Sequence, residues 1–245
     1  MRAARSFVLA LAFAAFACGG DDDGGAADAT PGPDAEIPGL DAPPPGPPLL
    51  VVGTITVENG ANNEIGSNKR VQCDVIVTRD GAPVSNAIIK INPPGSIQTF
   101  LIGDALEPSH YSGNYMGYNN DSARMEITAG TDHIAETVLI GQSMFRIDAP
   151  TAASMQTELV ALPVQWGTNG SAADVLRIET AGGHDSGELT DADNYTIPGA
   201  SITLTTPDDT VTVTRSQRNT LPGTAAGTQI DFGVASSVDF TVIAN

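Results

Sequence analysis

Cysteine is nearly missing from this chain. Of 245 residues only Cys18 and Cys73 carry a thiol, which excludes a scaffold of disulfides. Positive charge is scarce as well: 11 lysines and arginines face 29 aspartates and glutamates, so nucleic acid and anionic lipid surfaces would repel the chain, and no nucleic-acid partner is expected. The three histidines, His110, His133 and His184, lie apart, without the H-x-x-x-H or C-x-x-C spacing that gathers ligands around an ion, so neither a metal nor a cofactor is expected. Helical periodicity is absent throughout. Beyond residue 18 no apolar run approaches the roughly 20 residues that a membrane-spanning helix needs. Catalytic signatures are missing too. His184-Asp185-Ser186 sets three triad residue types side by side, whereas a triad needs them converging from separate elements, and no G-x-S-x-G elbow occurs. No enzymatic activity is expected.

What is present begins with an export leader. Arg2 and Arg5 precede the apolar run Phe7 to Ala17, and small residues lead to Cys18, which are the parts of a secretory signal. Ala15-Phe16-Ala17-Cys18 resembles the lipobox of bacterial lipoproteins, in which the cysteine sulfur receives a diacylglycerol and the peptide is cut just before it. That family carries Leu where Ala15 stands, and ordinary secretory cleavage after Ala17 is the other reading. The resemblance implies a signal peptide over 1–17 and lipidation at Cys18, hence an exported chain anchored to the cell envelope, at the outer membrane or cell surface. Each buried methylene is worth about 0.8 kcal/mol, so one acyl chain binds reversibly and two hold firmly.

Residues 18–48 read as a tether. Eight prolines and seven glycines fall between 19 and 48, with Ile37 and Leu40 as the sole large apolar side chains, so the segment cannot bury enough surface to offset its ordering entropy and is expected to be disordered. Its Pro-rich end would be stiffer, close to polyproline II.

From Leu49 onward the pattern has a period of two. Val71, Cys73, Val75 and Val77 alternate with Gln72, Asp74, Ile76 and Thr78, the pattern of a half-buried strand, which turns Cys73 toward a core as a small buried hydrophobe. Asp80-Gly81 supplies a turn, and strands are predicted over 87–92, 97–102, 111–118, 123–128 and 133–140. A second series follows: Leu162, Val164 and Trp166, then Leu176 and Ile178, Asn194 to Ile197, Val211 and Val213, and Val238, Phe240 and Val242. Turn signals recur about every 10 residues, as in β-sandwiches. The expectation is an all-β chain of two tandem immunoglobulin-like sandwich domains, over 49–142 and 143–245, with Trp166 filling the second core.

Two stretches carry a family likeness. Asp80-Gly81-Ala82-Pro83-Val84-Ser85-Asn86-Ala87 resembles the hairpin of bacterial immunoglobulin-like and transthyretin-like (carboxypeptidase regulatory-like) modules, where a tyrosine-bearing strand such as 111–118 follows. Asn194-Tyr195-Thr196-Ile197-Pro198 followed by the Thr210 to Arg215 strand is similar to tandem repeats in lipoproteins of myxobacteria and related bacteria. Both resemblances imply a fold; members act as spacers, binding modules or stabilising appendages.

Some residues stay open to two readings. Asp191-Ala192-Asp193-Asn194 suits a turn or a weak calcium loop, although Tyr195 stands where an oxygen ligand belongs. Lys90 alternates with apolar residues and suits either an edge-strand guard or the internal isopeptide lysine of some surface sandwich domains. Tyr111 and Tyr115 fall on one strand face and Tyr118 on the other, suiting core filling better than one stacking platform. The functional expectation is a non-enzymatic lipoprotein that binds an extracellular or envelope protein or glycan. An envelope spacer, or an unrecognised hydrolase or inhibitor, is the alternative.

Overall fold

The computed structural model describes residues 47–59, 69–93, 98–117, 122–142, 144–167 and 172–245. The expected leader, Cys18 and all but the end of the tether lie outside that range, as does Tyr118. Among the described residues the chain is a succession of strands, broken only by a 3-10 turn at Gly199–Ser201.

In the first half the strands are β1 (Leu49–Glu58), β2 (Lys69–Arg79), β3 (Ala82–Pro83), β4 (Ile88–Asn92), β5 (Thr99–Phe100), β6 (Ile102–Gly103), β7 (His110–Gly117), β8 (Ser122–Ala129) and β9 (Asp132–Leu139). The second half adds β10 (Ile147–Ala149), β11 (Ser154–Thr157), β12 (Leu162–Trp166), β13 (Val175–Thr180), β14 (Asn194–Ile197), β15 (Asp208–Asn219) and β16 (Gln229–Ile243). Alternation along β2 is as the sequence predicts: Val71, Cys73, Val75 and Val77 are buried, and Gln72, Asp74, Ile76 and Thr78 face outward. Asp80 and Gly81 both take positive φ, of 50° and 76°, which matches the right-handed twist of the strands they join.

These strands form three sheets. A nine-stranded sheet runs β13-β15-β16-β1-β2-β7-β6, with β11 beside β16 and β3 beside β2; a four-stranded sheet runs β5-β4-β8-β9 and a three-stranded one β10-β12-β14. The first half thus pairs β1, β2, β7 and β6 with the four-stranded sheet. The second sets β10, β12 and β14 against β13, β15, β16 and β11, the division of strands found in immunoglobulin-type sandwiches. Trp166 lies in that second core, 2% exposed.

The boundary expected between 142 and 143 falls in the connector from β9 to β10, yet the large sheet runs through it. β16 is 15 residues long. Its beginning pairs in parallel with β1, from Val52 opposite Gln229 to Glu58 opposite Ala235, and its end pairs in parallel with β11, from Ser154 opposite Phe240 to Thr157 opposite Ile243. Ile55 and Val57 lie beside Phe232 and Val234, which share a strand face with Val238, Phe240 and Val242. One face of one sheet therefore carries the apolar residues of both halves, and the two smaller sheets cover it. Residues 45–245 form one compact unit with one contiguous core.

Candidate functional site

The first half closes at a corner where a single segment changes sheets. Phe100 in β5 pairs with Lys90 of β4, Leu101 then donates its N–H to the Ile89 carbonyl at 3.0 Å, and Ile102 in β6 pairs with Ser112 of β7. Leu101 at the crossover is buried, because its side chain turns between the two layers. The residues on either side of it turn out. Cross-strand partners share a face, so Phe100 lies with Lys90 and, two residues along, Ile88 on the outer face of the four-stranded sheet. Ile88 is 51% exposed, Phe100 55% and Ile102 75%. A following turn, closed by the Leu106 N–H on Asp104 Oδ1 at 2.7 Å, presents Leu106 at 91% exposure. The Lys90 Nζ sits 5.7 Å from the Phe100 ring centre, a cation over a π face. Ile102 shares its face with Ser112 and Asp74, on the outside of the nine-stranded sheet, so the segment exposes apolar side chains on both sides of its crossing.

A second exposed apolar group gathers at the end of the second half. Glu158 N–H to the Ile243 carbonyl and Leu159 N–H to the Ile202 carbonyl, both 2.9 Å, bring Leu159, Val160, Leu204 and Ile243 to one end of the sandwich.

The structure disperses the residues singled out by chemistry. His110 Nε2 lies 2.8 Å from Asp74 Oδ1, His133 meets Thr128, and His184 packs on Tyr195 with ring centres 5.8 Å apart, so the three histidines serve three separate places. Asp185 and Ser186 do not converge on His184 either. Asp185 pairs with Arg177, and its carboxyl is held at about 2, chiefly by the Arg177 hydrogen bond and then by the Gly187 N–H; Ser186 donates to the Gly187 carbonyl. Among the described residues no three His, Cys, Asp or Glu side chains gather where they would hold a metal ion.

Asp191, weighed above as a calcium ligand, is committed elsewhere. Both its oxygens accept from Arg215, at 3.1 and 2.6 Å, and the Ala173 N–H adds a third bond at 2.8 Å. Burial alone would raise this carboxyl, but the bonds and charge of Arg215 outweigh it and hold the group below the usual carboxylate range. Arg215 itself is 1% exposed, with its guanidinium 5.8 Å from the Phe145 ring. The sequence concealed this pair, because Arg215 falls at an inward position of a strand where charge is not expected.

Cys73 is fully buried, and burial, with the Asp74 charge behind it, pushes its thiol up to about 12. Tyr111 fills core and binds the first hairpin: its hydroxyl donates to the Val84 carbonyl and accepts from the Ala87 N–H. Tyr115 is partly buried against the same core. Lys90 is not an edge guard, since β4 lies between β5 and β8.

No family model matches the sequence, and no curated protein matches it. Among solved structures the chain is similar to fibronectin(III)-like modules of Clostridium thermocellum CbhA, at 14% identity over 80% of this chain and 94% of that one, with a TM-score of 0.28. It is also similar to a chimeric titin Z1Z2-Z1Z2 tandem functionalized with a GRGDS peptide, at 11% identity over 77% and 96%, with a TM-score of 0.26. At that level of superposition nothing of partner or activity transfers.

Proposed function

We propose that this chain is an exported, lipid-anchored binding module. Cys18 holds it to the cell envelope, at the outer membrane or cell surface, and its sandwich unit captures an extracellular or envelope protein or glycan. The observation that carries the binding role is the run of large apolar side chains left in water where one segment changes sheets, Phe100, Ile102 and Leu106, with Ile88 on the outer face that Phe100 shares. Support for the anchor comes from the leader and the small residues before Cys18. An envelope spacer is the second reading, favoured by the ladder between β1 and β16 that locks both halves into one sheet.

Crosslinking on intact cells separates the two. The wild-type chain should recover one reproducible protein or glycan, and Phe100→Ser with Ile102→Ser should lose it while the melting temperature stays within a few degrees. Recovery of lipid alone would overturn the binding role and leave the spacer. The anchor has its own test: Cys18→Ser should move the protein from the membrane to the soluble fraction, and persistence in the membrane would overturn it.

A further inference from the structure

At the junction of the two halves a lysine amine lies buried against an asparagine amide. Asn59 follows β1 and Lys69 opens β2; the register that sets Glu58 opposite Arg70 continues by one step to place them face to face. Both sit on the inward side of the sheet, in phase with Val57 and Val71. Lys69 is 3% exposed and Asn59 8%. The Lys69 Nζ donates to Asn59 Oδ1 at 3.1 Å. The other end of the amide is fixed: Asn59 Nδ2 donates to the Phe145 carbonyl at 3.1 Å and to Ser236 Oγ at 3.2 Å, and Ser236 is completely buried. The amide therefore cannot swing away, and its carbonyl stays turned to the amine.

We propose that Lys69 and Asn59 are joined by an internal isopeptide bond. In the reaction the neutral Lys69 amine attacks Asn59 Cγ, an Nζ–Cγ bond forms, and the Cγ–Nδ2 bond breaks. One proton moves in net from Nζ to the departing nitrogen, which leaves as ammonia; nothing is oxidised or reduced. Ser236 Oγ accepts from Nδ2 and donates to the Phe145 carbonyl at 3.3 Å, so it positions the departing nitrogen. Proximity of this kind replaces a bimolecular encounter by a fixed one, which is how an unreactive amide becomes accessible to an amine. Burial also lowers the Lys69 pKa below its ordinary value, which raises the share of uncharged amine relative to an exposed lysine. A bond here would tie the end of β1 to the start of β2 beside the Phe145 connector. Lys90, which the sequence nominates for such a bond, faces Phe100 and Glu126 instead.

The test is mass spectrometry of the purified full chain. A bond predicts an intact mass about 17 Da, that of one ammonia, below the mass calculated for the chain in its processed form. Asn59 is followed by Gly60, a pair that can also lose ammonia as a succinimide, so mass alone does not decide. Glutamyl endopeptidase on the denatured chain does, because Glu64 lies between the two residues. The isopeptide predicts that the fragments beginning at Asn59 and Ile65 stay covalently joined after cleavage at Glu58 and Glu64. Two separate fragments would overturn it, as would a mass deficit that survives in Lys69→Arg. In Ser236→Ala the branched fragment should form at least tenfold more slowly during refolding; an unchanged rate would remove Ser236 from the reaction.

Discussion

Arg215 and Asp191 place a full ion pair under the second sandwich, where each partner is costly without the other. Removing one side of a buried pair typically costs about 3–5 kcal/mol, because the remaining charge is stranded. Arg215→Met should therefore lower unfolding stability at neutral pH by about that amount in urea titrations. The pH dependence has a definite sign. In the wild type the Asp191 carboxyl is held below its ordinary value, so its stabilisation is present above about pH 4 and is lost as pH falls through the folded value. In the variant burial, the largest influence on this carboxyl, is opposed only by the Ala173 and Ala192 N–H bonds and raises it, so acidification relieves it, and the gap between the proteins should narrow between pH 7 and pH 3. A constant gap would show that Asp191 is not the stranded group. Cys73 gives a simpler prediction at the same scale. With its thiol pushed up to about 12 inside the core, it should resist iodoacetamide at pH 8 in the native state and react fully in denaturant. Its burial was legible from the alternation in β2. The Arg215 pair was not, since strand periodicity assigns inward positions to apolar side chains and gives no sign of which distant carboxylate will meet a charge placed there.

Strand boundaries and partners divide in the same way. The turn at Asp80 and Gly81 was readable, because its residue types match its positive φ angles. A single strand over 97–102 was expected, yet the chain changes sheets at Leu101, and that switch creates the exposed corner. A period of two is satisfied equally by one strand or by two halves in different sheets, so sequence could not distinguish them. The beginning of β16 was hidden for another reason. From Ile230 to Ser236 both of its faces are buried, and three of these residues, Gly233, Ala235 and Ser236, are small. A Cβ at Gly233 would run into Ser216 Oγ and the Arg215 carbonyl. Gly233→Ala should therefore destabilise by about 1–3 kcal/mol, the range for overpacking, measured as a lower urea midpoint with an unchanged slope. Stability equal to the wild type would mean that β15 and β16 separate there at no cost.

For the molecule as a whole, the consequence of β16 is cooperativity. Two tandem sandwiches joined by a connector would unfold as two events, each with its own midpoint, since each would bury its own core. Here β1 takes its outer hydrogen bonds from β16, Asn59 and Ser236 both hold the Phe145 carbonyl, and Asn219 closes on the backbone of Leu139 at 2.7 and 2.9 Å. Removing the second half would strip β1 of its neighbour and expose Ile55 and Val57 beside an open edge. Residues 45–245 should consequently melt in one calorimetric transition whose van't Hoff and calorimetric enthalpies agree. At about 0.7 kcal/mol per residue, that single enthalpy is roughly 140 kcal/mol near 60 °C. A fragment ending at Gln142 should fail to fold, giving no native peak dispersion by NMR. Two resolved transitions of roughly 70 kcal/mol each, or a folded fragment, would show that the shared strand pairs the halves without coupling their stabilities.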